Sequence, residues 1–251
     1  MRLVFATTFP EFFNSASSVS IMGRAKTAGL VEVEAVNLRK YTKDRHQSTD
    51  DNPYGGGFGM LMKVEPFAEM VDDLNLPEGS RIILMSPAGK TFSQKIASDL
   101  SNAASIVFLC GHYEGVDERV AQMCTDWLSL GDFVMTGGEV AALAMADAII
   151  RLIPGVLGHN ESSEVESFQS GLLEFPQYTR PANHETGDVP AVLLSGNHAD
   201  IEDWRREQSL RRTLAIRPDL LESAKLDAND KKILKNISKE IGNTFKKLDI
   251  D

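Results

Sequence analysis

Cysteine is almost missing from this sequence: Cys110 and Cys124 are the only two. They form no C-x-x-C pair and have no clustered partners, so neither a disulfide scaffold nor structural zinc is expected, and reduced thiols in a cytoplasmic protein fit the count. The five histidines show no H-x-x-x-H or H-E-x-x-H spacing, so no metal-ligating residues are assigned. Long apolar runs are also lacking. Nowhere do about 18 apolar residues follow one another, which argues against a membrane span, and the run at 3–6 is too short for a secretion signal. Basic residues are the minority, 26 Lys and Arg against 36 Asp and Glu, for a formal charge of −10. Taken alone, that balance argues against a phosphate-rich partner. No tract is repetitive or low in complexity.

What is present is the composition of an ordinary folded protein, 42% hydrophobic and 25% charged, long enough for a large domain with a smaller companion. The first 150 residues alternate β-rich runs with helical patterns, which reads as α/β with a mainly parallel sheet. Strands are expected at 3–6, 31–38, 81–85, 105–110 and 133–135. Pro66 suits a first helical turn, and Phe67, Met70, Val71 and Leu74 continue it at i, i+3, i+4 and i+7. A second helix is expected from about Phe92 to Leu100. The Ala- and Leu-rich run 138–153 reads as a buried helix that Pro154-Gly155 ends. Residues 159–171 are polar and acidic without a stable period, as in a linker. Helical segments follow at about 200–215 and 219–247.

Charge is unevenly spread. Between Trp204 and Arg217 lie five arginines (205, 206, 211, 212 and 217) and one glutamate, a local basic patch on an acidic background. Two phosphate-binding signals fail on inspection. Gly89-Lys90-Thr91 ends like a Walker loop, but its first glycine is replaced by Leu84, and Gly55-Gly56-Gly57-Phe58-Gly59 lacks the G-x-G-x-x-G spacing. The glycine-bearing turns after the expected strands are more informative: Ser86–Gly89, Gly111–Gly115, and Leu130–Asp132 with Thr136–Glu139. In an open parallel sheet, ligands bind beyond the carboxyl ends of the strands, so three such turns can line one pocket. Glycine allows close backbone approach, and a carboxylate such as Glu114 suits a cationic ligand.

Longer motifs carry a specific resemblance. Arg45-His46, Asp50-Asp51, Pro53-Tyr54-Gly55-Gly56-Gly57-x-Gly59-Met60-Leu61-Met62, Cys110-Gly111-x-Tyr113-Glu114-Gly115-x-Asp117-Glu118-Arg119, Gly131-Asp132, Gly137-Gly138-Glu139, Ile153-Pro154-Gly155-Val156-Leu157-Gly158, Tyr178-Thr179-Arg180-Pro181 and Val192-Leu193-Leu194-Ser195-Gly196-Asn197-His198 occur in this order. Together they resemble the bacterial tRNA (guanine-N1)-methyltransferase family, TrmD, over about residues 1–220.

The resemblance implies an α/β SPOUT-class fold: a mainly parallel sheet with a C-terminal trefoil knot, plus a small helical C-terminal domain. The boundaries it implies are a knotted S-adenosylmethionine-binding domain over 1–158, a flexible linker over 159–170 and a helical tRNA-binding domain over 171–251. It further implies a cytoplasmic homodimer, with no membrane partner, that methylates N1 of guanosine at tRNA position 37. The implied cosubstrate contacts are Leu84, Met85, Ser86, Pro87, Gly111, Tyr113, Glu114, Leu130, Gly131, Asp132, Phe133, Val134, Met135, Gly137 and Gly138. Magnesium dependence is a family expectation.

Guanine N1 carries a proton at neutral pH, so a base must remove it, and a cation near O6 must stabilise the charge that develops. The resemblance assigns the cation to Arg151 and the base to Glu166, which stands where the family has aspartate. Glu161 and Glu164 are alternative bases in the same segment, and Asp132 is a fallback. His112, Phe133 and Ala141 stand where relatives often carry Arg, Tyr and Pro. For RNA, Arg180, Arg205, Arg206, Arg211 and Arg212 are candidate backbone contacts, with Tyr54, Phe58 and Phe168 as stacking surfaces. Glu202-Asp203 replaces two family arginines and weakens that basic surface. Two competing readings are a knotted methyltransferase acting on ribose 2′-oxygen and a tRNA-binding protein whose catalysis has lapsed at Glu166.

Overall fold

The computed structural model describes residues 1–157 and 166–247. The chain divides into two compact units, Met1–Asn160 and Glu161–Asp251. Most of the expected linker, with Glu161 and Glu164, lies outside the described residues.

The first unit is built on a five-stranded sheet ordered β2-β1-β6-β5-β7. Its strands are β1 (Arg2–Thr7), β2 (Glu32–Asn37), β5 (Arg81–Thr91), β6 (Ser105–Leu109) and β7 (Asp126–Ser129), and every neighbouring pair is parallel. A parallel sheet must be covered on both faces, because its crossovers lay helices across them. β6 is accordingly buried at all five positions. Alternation along β1 sends Leu3 and Phe5 into one apolar layer and Val4 and Ala6 into the other. On the first face Phe5 stacks on Phe13 and Phe108 at centroid distances of 4.1 and 5.3 Å. Each such fully buried side chain contributes about 2–3 kcal/mol relative to exposure.

The covering helices follow from local signals. α1 (Phe12–Ala16) and α2 (Ser20–Thr27) join the first face; neither was expected, because α1 is barely a turn long and α2 carries little apolar periodicity. α3 (Val64–Asp73) has Pro66 in its first turn and buries Phe67 and Met70, as the spacing predicts. α4 (Gln94–Leu100) starts at Ser93, whose hydroxyl accepts the Ile96 N–H, which trims the expected start at Phe92. α5 (Glu139–Ile150) is the buried helix, and Ala141, Ala142, Met145, Ala146, Ile149 and Ile150 are all inside. A two-residue hairpin, β3 (Asp50–Asp51) with β4 (Leu61–Met62), frames the glycine-rich loop.

The expected strand at 133–135 is corrected. The fifth strand is β7, and Phe133–Met135 lies in the loop after it, with Phe133 and Val134 exposed. Three adjacent apolar residues imitated a strand, whereas Asp126-Trp127-Leu128-Ser129 has two polar ends that masked one. β5 is longer than expected because it pairs with β7 twice. Met85 and Lys90 both face Leu128 across a register shift, so residues 86–89 bulge outward between them. Gly89 closes that bulge: a Cβ there would lie 2.5 Å from the Leu128 nitrogen, so no larger residue fits.

The second unit is helical: α6 (Ala191–Leu194), α7 (His198–Ile216), α8 (Asp219–Ser223) and α9 (Ala228–Lys247). The expected single segment 219–247 is two helices, broken at 224–227. Leu172, Leu210 and Ile237 form its buried centre. The Thr213 hydroxyl accepts the Leu173 N–H at 2.9 Å and the Ser209 hydroxyl donates to the Leu173 carbonyl at 2.5 Å, which pins the extended entry segment to α7. Among the described residues no helix is long and apolar enough to cross a membrane.

Candidate active site

A cavity of about 380 Å³ opens beyond the carboxyl ends of β5, β6 and β7, where an open parallel sheet is expected to bind ligands. Three backbone segments make its wall: the bulge after Met85, the turn 111–118 after β6, and the loop 130–138 between β7 and α5. They meet closely. Gly138 N–H donates to the Gly111 carbonyl at 2.9 Å, and His112 forms an antiparallel bridge with Gly137. A Cβ at Gly138 would come within 2.9 Å of the Cys110 Cα, so glycine is what lets the two loops touch.

Of the cosubstrate contacts implied by the resemblance, Leu84, Met85, Ser86, Pro87, Gly111, Tyr113, Glu114, Leu130, Gly131, Phe133, Val134, Met135, Gly137 and Gly138 line this cavity; Asp132 is not among the lining residues. His112 and Thr136, within the turns expected to line a pocket, do so as well, and Val116, Asp117 and Trp127 line it without having been anticipated. Trp127 was hidden with the misplaced strand, while the others sit inside motifs whose spacing alone does not say which side chains point inward.

The wall is acidic. Glu114, Asp117 and Glu118 all line the cavity. Asp117 is held down at about 2, first by its side-chain hydrogen bonds with Arg119, at 2.7 and 2.8 Å, so it stays ionised at neutral pH. A site with this wall favours a cationic ligand. Cys110, by contrast, is fully buried, and burial followed by the nearby Glu139 charge pushes its thiol well up, which removes it as a nucleophile. Among the described residues no group of three or more His, Cys, Asp or Glu is arranged to hold a metal.

Glu114 also ties the cavity to the glycine-rich loop. Its N–H donates to the Met60 carbonyl at 3.1 Å, and Met62 and Gly115 are bonded at 3.0 Å. At the tip of that loop Tyr54 and Phe58 are wholly exposed.

Arg151 caps the end of α5 and is half-buried; its N–H donates to the Asp147 carbonyl. It is not a lining residue of the cavity. Glu166 begins the described part of the second unit, half-buried, its carbonyl accepting the Gln169 N–H. The basic patch of that unit is extensively paired. Arg206 grips the buried Asp230 with two bonds of 2.6 and 2.7 Å, Arg205 pairs with Glu202, Arg211 with Glu207 and Glu240, and Arg217 with Asp219. Arg212 donates to the Glu174 carbonyl. The patch of positive charge legible in sequence is therefore largely compensated by acids within it, beside it and beyond it.

Comparison with known proteins finds relatives over nearly the whole chain. The family profile described as tRNA (Guanine-1)-methyltransferase TrmD matches residues 1–223. A Staphylococcus carnosus protein named tRNA (guanine-N(1)-)-methyltransferase is 52% identical over 242 residues, covering 96% of this chain and 99% of its own. Proteins of the same name from Dictyoglomus turgidum and Halalkalibacterium halodurans are 49% and 48% identical, each covering 96% of this chain and 98% and 99% of their own.

Proposed function

The chain belongs to the tRNA (guanine-1)-methyltransferase family, TrmD, and from that premise we propose that it moves the methyl group of S-adenosylmethionine to N1 of the guanosine at tRNA position 37. It is an enzyme, a tRNA (guanine-N1)-methyltransferase.

The cavity carries the reading of how it acts. Its volume suits a small ligand, its glycine contacts allow close approach of backbone, and its carboxylates favour a sulfonium. We place S-adenosylmethionine there, against the fourteen residues of the family pattern that line the cavity. The C-terminal trefoil knot of the family is proposed for the region where loop 130–138 meets turn 111–115.

In the proposed reaction Glu166 removes the N1 proton. The N1 lone pair attacks the methyl carbon, the carbon–sulfur bond breaks towards sulfur, and S-adenosylhomocysteine leaves with the proton held on the carboxylate. Arg151 stabilises the charge that builds on O6 as the proton departs. The longer Glu must be set back by about one bond length relative to Asp, since a misplacement of about 1 Å costs on the order of a hundredfold in rate. The target base is turned out of its stack to be reached, with Tyr54, Phe58 and Phe168 as stacking surfaces. The helical unit is the tRNA-binding domain, in which Arg180 and Arg212 take backbone contacts; Arg206 is assigned to structure instead. The enzyme works in the cytoplasm as a homodimer, as the family resemblance implies.

The test is incubation with labelled S-adenosylmethionine and paired transcripts carrying guanosine or adenosine at position 37, followed by digestion to nucleosides. 1-Methylguanosine should form only with the guanosine transcript, and Glu166→Gln and Arg151→Ala should each lower kcat by about 10²-fold or more. Label on ribose, or none at all, would overturn the assignment. Chelator in the same assay tests the magnesium expectation.

A further inference from the structure

Glu139 is the first residue of α5, yet its side chain turns inward and is 4% exposed. A buried carboxylate is costly unless its oxygens are satisfied. Both are. Oε1 accepts the Thr7 hydroxyl at 2.5 Å, and Oε2 lies 2.7 Å from His112 Nε2. The Thr7 oxygen in turn accepts the Phe9 N–H at 2.9 Å. His112 lines the cavity, its ring lies 4.8 Å from that of Phe9, and its backbone N–H points to the Met62 sulfur at 3.2 Å. One carboxylate thus joins the end of β1, the turn after β6 and the start of α5, and the turn it holds is a wall of the cavity.

We infer that Glu139 is a positioning residue for methyl transfer, acting through His112 and braced by Thr7, and that it sets the position of the 111–115 wall against which S-adenosylmethionine rests. The inference rests on the proposed placement of the cosubstrate in this cavity. Apolar packing already holds the sheet without this network: the surrounding layer of Leu3, Phe5, Phe108 and α5 is closed. The Glu139–His112 contact is a 2.7 Å hydrogen bond that fixes a loop at the cavity.

The experiment compares Thr7→Val, Thr7→Ser, His112→Ala, His112→Gln and Glu139→Gln in the full chain. It measures thermal unfolding, calorimetric binding of S-adenosylmethionine, and the split between KM and kcat for both substrates. His112→Ala should raise both Kd and KM for S-adenosylmethionine about tenfold, with KM for tRNA unchanged. His112→Gln, which keeps an N–H donor, should recover most of that loss. Thr7→Val should show a smaller rise that Thr7→Ser reverses. Where Glu139→Gln does not fold, the His112 and Thr7 pairs decide the matter by themselves. Lower unfolding temperatures with unchanged cosubstrate affinity would overturn the inference. The underlying placement is checked separately in the wild type by hydrogen exchange with and without S-adenosylmethionine. Failure to protect residues 84–88, 111–116 and 130–138 would sink the placement and the inference with it, whereas protection with indifferent His112 variants would sink the inference only.

Discussion

The two units of this molecule are held together by different means. In the first, a parallel sheet is buried on both faces by apolar layers, and Glu139, held by Thr7 and His112 at the cavity, is its one buried carboxylate among the described residues. In the second, three residues form the buried centre, and arginine–carboxylate pairs bind helix to helix; Arg206 and Asp230 join α7 to α9. The lesson concerns charge. A buried carboxylate hydrogen-bonded to Thr7 and His112 shapes a binding wall in the first unit, while in the second the ion pairs take up much of the positive surface that a tRNA-binding domain would be expected to display.

Each unit contains one tryptophan, Trp127 and Trp204, so the comparison can be broken with single-tryptophan variants followed in urea. The largest effect is expected from Gly89→Ala. Its Cβ would strike the backbone of Trp127 and Leu128, neither of which can rotate away, so the Trp127 transition should lose at least about 3 kcal/mol. The Trp204 transition should stay where it is; a common shift would mean that the units do not unfold independently.

Asp230→Asn comes next. It leaves Arg206 without its carboxylate, and since that arginine is 37% exposed at the side chain, the loss should be about 2 kcal/mol, below the range for fully buried pairs. Here the Trp204 transition alone should move. The pH dependence sharpens the point. Asp230 is held below its usual range, chiefly by the Arg206 hydrogen bonds with burial opposing, so its contribution is fully present above the unfolded carboxyl value of about 3.9. It disappears as pH falls through the lower folded value. The Trp204 transition should therefore be flat from pH 7 to about 4 and weaken below, and Asp230→Asn should remove part of that acid loss. Retention of the full wild-type acid dependence in the variant would contradict the assigned pair.

The smallest effect is expected from Glu202→Gln. Its bond with Arg205 is 2.7 Å, but both side chains are well exposed, so the Trp204 transition should change by less than about 0.5 kcal/mol. A larger loss would show that even the exposed pairs hold the second unit together.

The same contrast explains what was legible in sequence. α3 and α5 announce themselves through spacing and apolar content, and β1, β2 and β6 through short β-branched runs, because those signals are local. β7 was displaced because Phe133-Val134-Met135 carries the apolar signal while contributing exposed side chains to the cavity mouth. Fourteen expected cavity residues could be named because the family resemblance maps onto the glycine-bearing turns after the strands. His112 was placed in a pocket turn but given no role there, and Trp127 was not seen at all, since which side chains face a cavity depends on how three separate loops meet.

Sequence by itself determined the α/β class, the order of most elements, the post-strand turns and, through long motifs, the family. These depend on periodicity and turn chemistry within a few residues. Tertiary structure alone decided that β5 bulges at 86–89, that Arg206 is matched by Asp230 and that Glu139 reaches back 132 residues to Thr7. Such pairings are set by which burials the fold makes compatible, and a buried charge takes its partner from whatever the closed core brings within 3 Å.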